Sequence, residues 1–127
     1  MLPSDLPSSA ALAFLGDAVH TLYVRRRLVA DGISHAKDLN AEALRFEKAV
    51  EQEQAFARIE ASLTELEAGV YRRAYNSTHL NRPRHVEGKT YRVATGFEAV
   101  LGMLAYLGQT DRITELLDAA YPRADEV

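Results

Sequence analysis

Residues 8–24, SSAALAFLGDAVHTLYV, and residues 93–110, VATGFEAVLGMLAYLGQT, decide how this chain is read. Each is a long apolar stretch with a single formal charge, Asp17 in the first and Glu98 in the second. Both are long enough to be buried helices. A carboxylate inside such a segment is costly unless a cation or hydrogen-bond donors compensate it. Two isolated carboxylates that converge would therefore form a metal site.

Glycines lie beside both acids. Gly16 precedes Asp17, Gly102 follows Glu98 by one helical turn on the same face, and Gly96 stands two residues before it. Glycine inside a helix costs about 1 kcal/mol relative to alanine, a cost that close helix–helix approach can offset. A crossing at these glycines makes Asp17 and Glu98 neighbours in a largely dry setting. Carboxylates a few ångström apart repel unless a proton or cation lies between them. Mg²⁺, a hard cation held by one or two carboxylates plus waters and phosphate oxygens, suits that place. The residues alone leave a second reading open, in which each acid is structural and pairs with an arginine such as Arg25 or Arg92.

The rest of the chain reads as all helical, without apolar/polar alternation or Asn-Gly hairpin turns. Ser8 or Ser9 caps a first helix that ends before Gly32, with Leu12, Leu15, Val19, Leu22 and Tyr23 as its stripe. Apolar nearly all round, it reads as a central helix whose exposed part is Arg25–Arg27. Ser34 is placed to cap the next helix, which runs with a break to about Ala61. Leu39, Ala43, Phe46 and Val50 form its buried stripe, and the Glu-rich run 42–53 its solvated face. Thr64 and Glu67 have capping-box spacing and open a helix to about Asn76. Residues 77–89 read as one long loop. The second apolar helix runs from about Thr90 to Leu107. Thr110 and Asp111 open the last helix, with Ile113, Leu116, Leu117 and Ala120 facing inward.

The 127 residues fit one domain, 1–127, with a core of about 8–120. With 47% apolar and 26% charged residues the composition is that of a globular protein, and zero cysteines exclude disulfides, thiolate zinc sites and cysteine nucleophiles. The N-terminus lacks the basic start of a secretory signal and no apolar run is long enough for a membrane span, so the expectation is a soluble cytoplasmic protein. The net charge of −3 hides a basic segment. Arg72, Arg73, Arg82, Arg84, Lys89 and Arg92 lie between Val70 and Arg92 against one acid, Glu87, a pattern that suits an anion or nucleic-acid contact. The four histidines have no zinc-like spacing, and no Ser/His/Asp arrangement stands out.

The segments ALAFLGDAVHTLYVRRRLVADG (11–32) and YRVATGFEAVLGMLAYLG (91–108), with basic YRRAYNS (71–77) between them, resemble the bacterial Mini-ribonuclease III family. These are ribonuclease III-type nuclease domains without the appended double-stranded-RNA-binding domain. The resemblance implies an all-α helical bundle that works as a homodimer. It implies an endoribonuclease that hydrolyses double-stranded RNA with Mg²⁺ (Mn²⁺ as a substitute) and leaves 5′-phosphates. The substrate it implies is precursor RNA of the large ribosomal subunit, with a ribosomal protein as a helper. Asp17 and Glu98 match the catalytic, metal-binding acids. Arg73, Asn76, Lys89 and Arg92 are assigned to RNA phosphates, and Phe14 falls at the family's dimer contact. Asp38 lies loosely near another acid of longer relatives.

Full-length ribonuclease III enzymes carry a glutamate where this chain has Ala13 and an aspartate where it has Thr95, and the Mini-type proteins lack both. The number of metal ions stays open on this ground. The family's RGRNA-like run reads RAYNS here, with Tyr75 in place of a basic residue. Two other functions stay open beside the nuclease. One is a non-catalytic ribonuclease III-like RNA-binding or ribosome-associated module. The other is a helical oligomerisation domain with structural acids.

Overall fold

A computed structural model describes residue 3, residues 5–77 and residues 88–124. Among the described residues there are six α-helices and no strand. These are α1 (Ser9–Ala30), α2 (Ala36–Glu47), α3 (Ala49–Ile59), α4 (Glu65–Ser77), α5 (Gly88–Tyr106) and α6 (Thr110–Ala120), with a 3-10 turn at Glu60–Ser62. The loop expected at 77–89 falls mostly on 78–87, outside the described residues. Ser77 ends α4, and Gly88 and Lys89 begin α5.

Local chemistry sets several boundaries. The Ser8 hydroxyl accepts from the Ala11 N–H at 3.1 Å and caps α1. Thr64 and Glu67 form the reciprocal capping box, with Thr64 N–H donating to Glu67 at 2.9 Å and Glu67 N–H to Thr64 Oγ1 at 3.1 Å. Glu67 is itself buried and held by two Arg112 donors, at 2.8 and 2.9 Å, which ties α6 to the start of α4. Ser34 does not cap α2; His35 occupies that position without a side-chain cap. Lys48, with φ −65° and ψ 144°, breaks the helix between α2 and α3.

The centre of the bundle is α5, not α1. Eleven residues of α5 are buried, and α1, α3, α4 and α6 all pack on it. The buried stripe of α1 is Leu12, Gly16, His20, Val24 and Leu28, a single row of i, i+4 positions. Phe14, at 84% exposed, and Leu22 and Val29, both above half, face solvent. The expectation of an α1 buried all round is corrected: it lies across one side of α5, with its other side uncovered. Arg27 is not a solvated helix end either, since it donates to the Tyr121 carbonyl and lies 5.2 Å over the Phe46 ring. The stripe expected at Leu39, Ala43, Phe46 and Val50 is corrected at its end. Leu39, Ala43 and Phe46 are half-buried, with Phe46 packed against the core, but Val50 is exposed, because the break at Lys48 rotates the phase so that α3 buries Gln52, Ala55, Phe56 and Ile59. The α6 stripe stands as read, and all four of its named residues are buried.

Candidate functional site

The two glycines of the quoted stretches define where α1 and α5 touch. A Cβ on Gly16 would lie 1.6 Å from the Glu98 carbonyl oxygen, and one on Gly102 1.8 Å from the Leu12 carbonyl oxygen. No other residue fits either position without separating the helices. Gly96 does something else, seating the Tyr71 ring of α4.

This crossing brings Asp17 and Glu98 within hydrogen-bonding reach of one another. Asp17 is exposed rather than buried, and Glu98 is mostly buried, so the pair spans the edge of the bundle rather than its dry interior. Burial, and then the adjacent Asp17, push the Glu98 carboxyl up to about 8, while the buried Gln52 amide donates to it and opposes the rise. A carboxyl in that condition keeps its proton near neutral pH until another cation replaces it.

The pair opens into a cleft of about 270 Å³ lined by Asp17, His20, Glu47, Gln52, Tyr91 and Glu98, with Thr21, Ala49, Ala94 and Thr95 completing it. Oε1 of Glu47 is buried and has no hydrogen-bond partner. Among the described residues no three His, Asp or Glu side chains converge as a ready ligand set. Two facing carboxyls and an orphaned acidic oxygen in a polar cleft nonetheless fit a divalent cation that keeps part of its water shell. His20 forms the inner wall. Burial holds its pKa down at about 4, against the pull of Asp17, so the ring is neutral. Its Nε2 lies 2.6 Å from the Tyr121 hydroxyl oxygen, and that hydroxyl donates to the Phe46 carbonyl at 3.3 Å.

Asn76 and Lys89 line one hollow of about 510 Å³ together with Arg72, Tyr71 and Tyr75, tempered by Glu53 and Glu60. Arg92 lies 5.8 Å over the Tyr75 ring on the same side. Lys89 and Glu98 stand nine positions apart on α5, about 14 Å along the helix. Arg73 is turned inward. Its Nε donates to Ser9 Oγ at 3.0 Å and its Nη2 to the Pro7 carbonyl at 2.7 Å, fastening α4 to the start of α1. Phe14 stands on the uncovered side of α1. Asp38 is exposed on α2 and lines a different hollow from the two acids.

Glu47, Gln52 and His20 were not singled out for the site by the sequence. Glu47 sat in a run read as solvated. The signal for Gln52 was present, since 52, 55, 56 and 59 share one helical face, but only a break at Lys48 makes that face visible.

The bundle and its acid pair define a class, and the comparisons agree with it: the profile of the Ribonuclease III domain matches residues 10–109. Mini-ribonuclease 3 of Symbiobacterium thermophilum is 38% identical over 93% of this chain and 90% of its own length. Those of Thermoanaerobacter sp. and Streptococcus pneumoniae are 37% and 35% identical, over 94% and 92% of this chain and 84% and 93% of their own. The crystal structure of protein FN1578 from Fusobacterium nucleatum superposes with a TM-score of 0.82 at 28% identity, covering 91% of this chain and 94% of that one. The chain belongs to the Mini-ribonuclease 3 family within the ribonuclease III domains.

Proposed function

We propose that this protein is a Mg²⁺-dependent nuclease that trims precursor RNA of the large ribosomal subunit, acting as a homodimer in the cytoplasm. It is an endoribonuclease of double-stranded RNA. The observation that carries the mechanism is the meeting of Asp17 and Glu98 over the Gly16–Gly102 crossing.

Asp17 and Glu98 would hold the ion, with Mn²⁺ able to substitute. When bound, it supplies Lewis acidity toward the scissile phosphate and acidifies a coordinated water. Gln52 holds Glu98 toward Asp17 by donating its amide. The exposed carboxyl of Asp17 stands where a duplex can reach it. Asn76, Lys89 and Arg92 contact backbone phosphates in the proposal, and Arg73 contributes what its bonds to Pro7 and Ser9 leave of its guanidinium. Duplex RNA is read through its backbone and 2′-hydroxyls, so a polar, sequence-indifferent surface suffices. No helix among the described residues is long and apolar enough to cross a membrane.

The homodimer would form on the uncovered side of α1, with Phe14, Leu22 and Val29 as its apolar anchors. Such a dimer offers one acid pair per strand of a duplex. A ribosomal protein helper belongs to the same proposal.

The test is cleavage of long double-stranded RNA by the wild type and by Asp17→Asn, with Mg²⁺ and then with EDTA. Metal-dependent shortening by the wild type, absent in the variant although it still retards the RNA, is the expected result. Full cleavage by the variant would contradict it.

A further inference from the structure

The acid pair leaves one neighbouring group unexplained. Glu47 is the last residue of α2, where the carbonyl end of the helix disfavours negative charge. Its Oε1 is out of contact with solvent and accepts no hydrogen bond. Among the described residues it takes part in no ion pair. A buried acceptor without a donor is costly, more so when charged. Three unfavourable circumstances at one carboxylate call for a cation or a donor that comes from outside the protein.

Glu47 stands one turn after Ala43 on the half-buried face of α2, and its chain neighbours face elsewhere. Arg45, Phe46 and Lys48 line a hollow with Arg27, Tyr121 and Arg123, whereas Glu47 lines the cleft of Asp17, Gln52 and Glu98. The Phe46 carbonyl accepts from Tyr121, whose hydroxyl is bonded to His20, so the residue before Glu47 is anchored to the wall of that same cleft.

We propose that Glu47 is a third acidic partner of the cation held by Asp17 and Glu98, reaching it through water of the ion's shell. The inference rests on the reading of that pair as a metal site. The three acids line one cleft, and among the described residues they form no direct three-ligand set, so Glu47 takes part through a water rather than as a direct ligand. A cleft of about 270 Å³ admits an ion and several waters, each taking about 30 Å³. The water donates to Oε1, and the orphaned acceptor and the ion's shell are satisfied together. Glu47 is thus a positioning residue, acting through that water.

The probe is Mn²⁺ alone, titrated into the metal-free full-length protein without RNA, with free Mn²⁺ read by electron paramagnetic resonance. Glu47→Gln should weaken Mn²⁺ binding about tenfold, the usual effect of losing an outer partner of a metal site, and Asp17→Asn should abolish it. Thermal unfolding supplies the second readout. Metal-free Glu47→Gln should melt at or above the wild-type temperature, because a negative charge at the carbonyl end of α2 has been removed, and should gain less from added Mn²⁺. Wild-type Mn²⁺ affinity in Glu47→Gln would overturn the proposal, as would a lower melting point of the metal-free variant, since Glu47 would then be held by the protein itself. A wild type that binds Mn²⁺ no better than Asp17→Asn would instead bring down the metal reading of the pair, and the role of Glu47 with it.

Discussion

Helix α1 buries five of its 22 residues and leaves Phe14, Leu22 and Val29 in solvent, whereas α5, with 19 residues, buries eleven. Both are rich in apolar residues and both carry one of the paired acids. The difference lies in their neighbours. Four helices surround α5, while α1 packs on α5, α2 and α4, reaches α6 through the Tyr23–Asp118 hydrogen bond, and leaves Phe14, Leu22 and Val29 without a helix against them. A small domain has too little interior for two fully apolar helices. The surplus on α1 is therefore surface that a second molecule can cover, and the acid pair lies at the seam between the helix that is finished and the helix that is not.

Substitutions at the seam should disturb the molecule most. Gly16→Ala puts a methyl against the Glu98 carbonyl and should cost roughly 3 kcal/mol or more, a fall of about 10 °C or more in melting temperature. Gly108→Ala, at φ +74° with open space around it, should cost only about 1–2 kcal/mol, for the left-handed backbone alone. Comparable losses at the two positions would mean that the helices do not meet where the structure puts them.

Within the buried row of α1, His20 is the one ionisable residue, and acid should reveal it. Its pKa is about 4 in the fold and 6.5 when unfolded, so between these values the unfolded chain binds more protons. Stability is full above about pH 6.5 and falls as pH drops through about 4, by roughly 3 kcal/mol from this group. His20→Phe should flatten that part of a denaturation series measured against pH. An unchanged slope would show that His20 is not held neutral.

The uncovered face of α1 should respond differently. Phe14→Glu should leave the helical content and melting of the monomer unchanged and weaken self-association by about 10- to 100-fold in sedimentation, the effect of losing roughly 1.5–3 kcal/mol of apolar burial. The smallest effect belongs to the far end of α5. Lys89→Ala should weaken binding to duplex RNA a few-fold and lower the slope of log affinity against log salt by about one.

Much of this was legible in the sequence because helix-terminus chemistry and close-approach glycines are local. The Thr64–Glu67 box, the Ser8 cap, the inward row of α6 and the Gly16–Gly102 crossing needed no knowledge of the neighbours. The buried side of α1 was not legible, since Leu15, Leu22 and Phe14 are as apolar as the residues that α5 covers. Only the placement of the other helices decides between them. The second helix misled for a different reason. One extended residue at Lys48 shifts the phase, so a stripe extrapolated from Leu39 ends on exposed Val50 and passes over Gln52. Glu47 looked like its solvated neighbours Glu42 and Glu51, although it lies one turn after Ala43 on the inward face of α2. Arg73 looked like a free cation, whereas its donors close onto Pro7 and Ser9.

Whether Asp17 and Glu98 serve one ion is tested most directly by a double-mutant cycle. Mg²⁺-dependent cleavage of duplex RNA is measured for Asp17→Asn, Glu98→Gln and the double variant, with binding of the same RNA in EDTA as the control. Sharing one ion predicts that either substitution alone lowers cleavage by about a thousandfold or more, that the double variant is no worse, and that all three bind RNA like the wild type. Independent losses that multiply in the double variant, or near-normal cleavage by either single one, would contradict it.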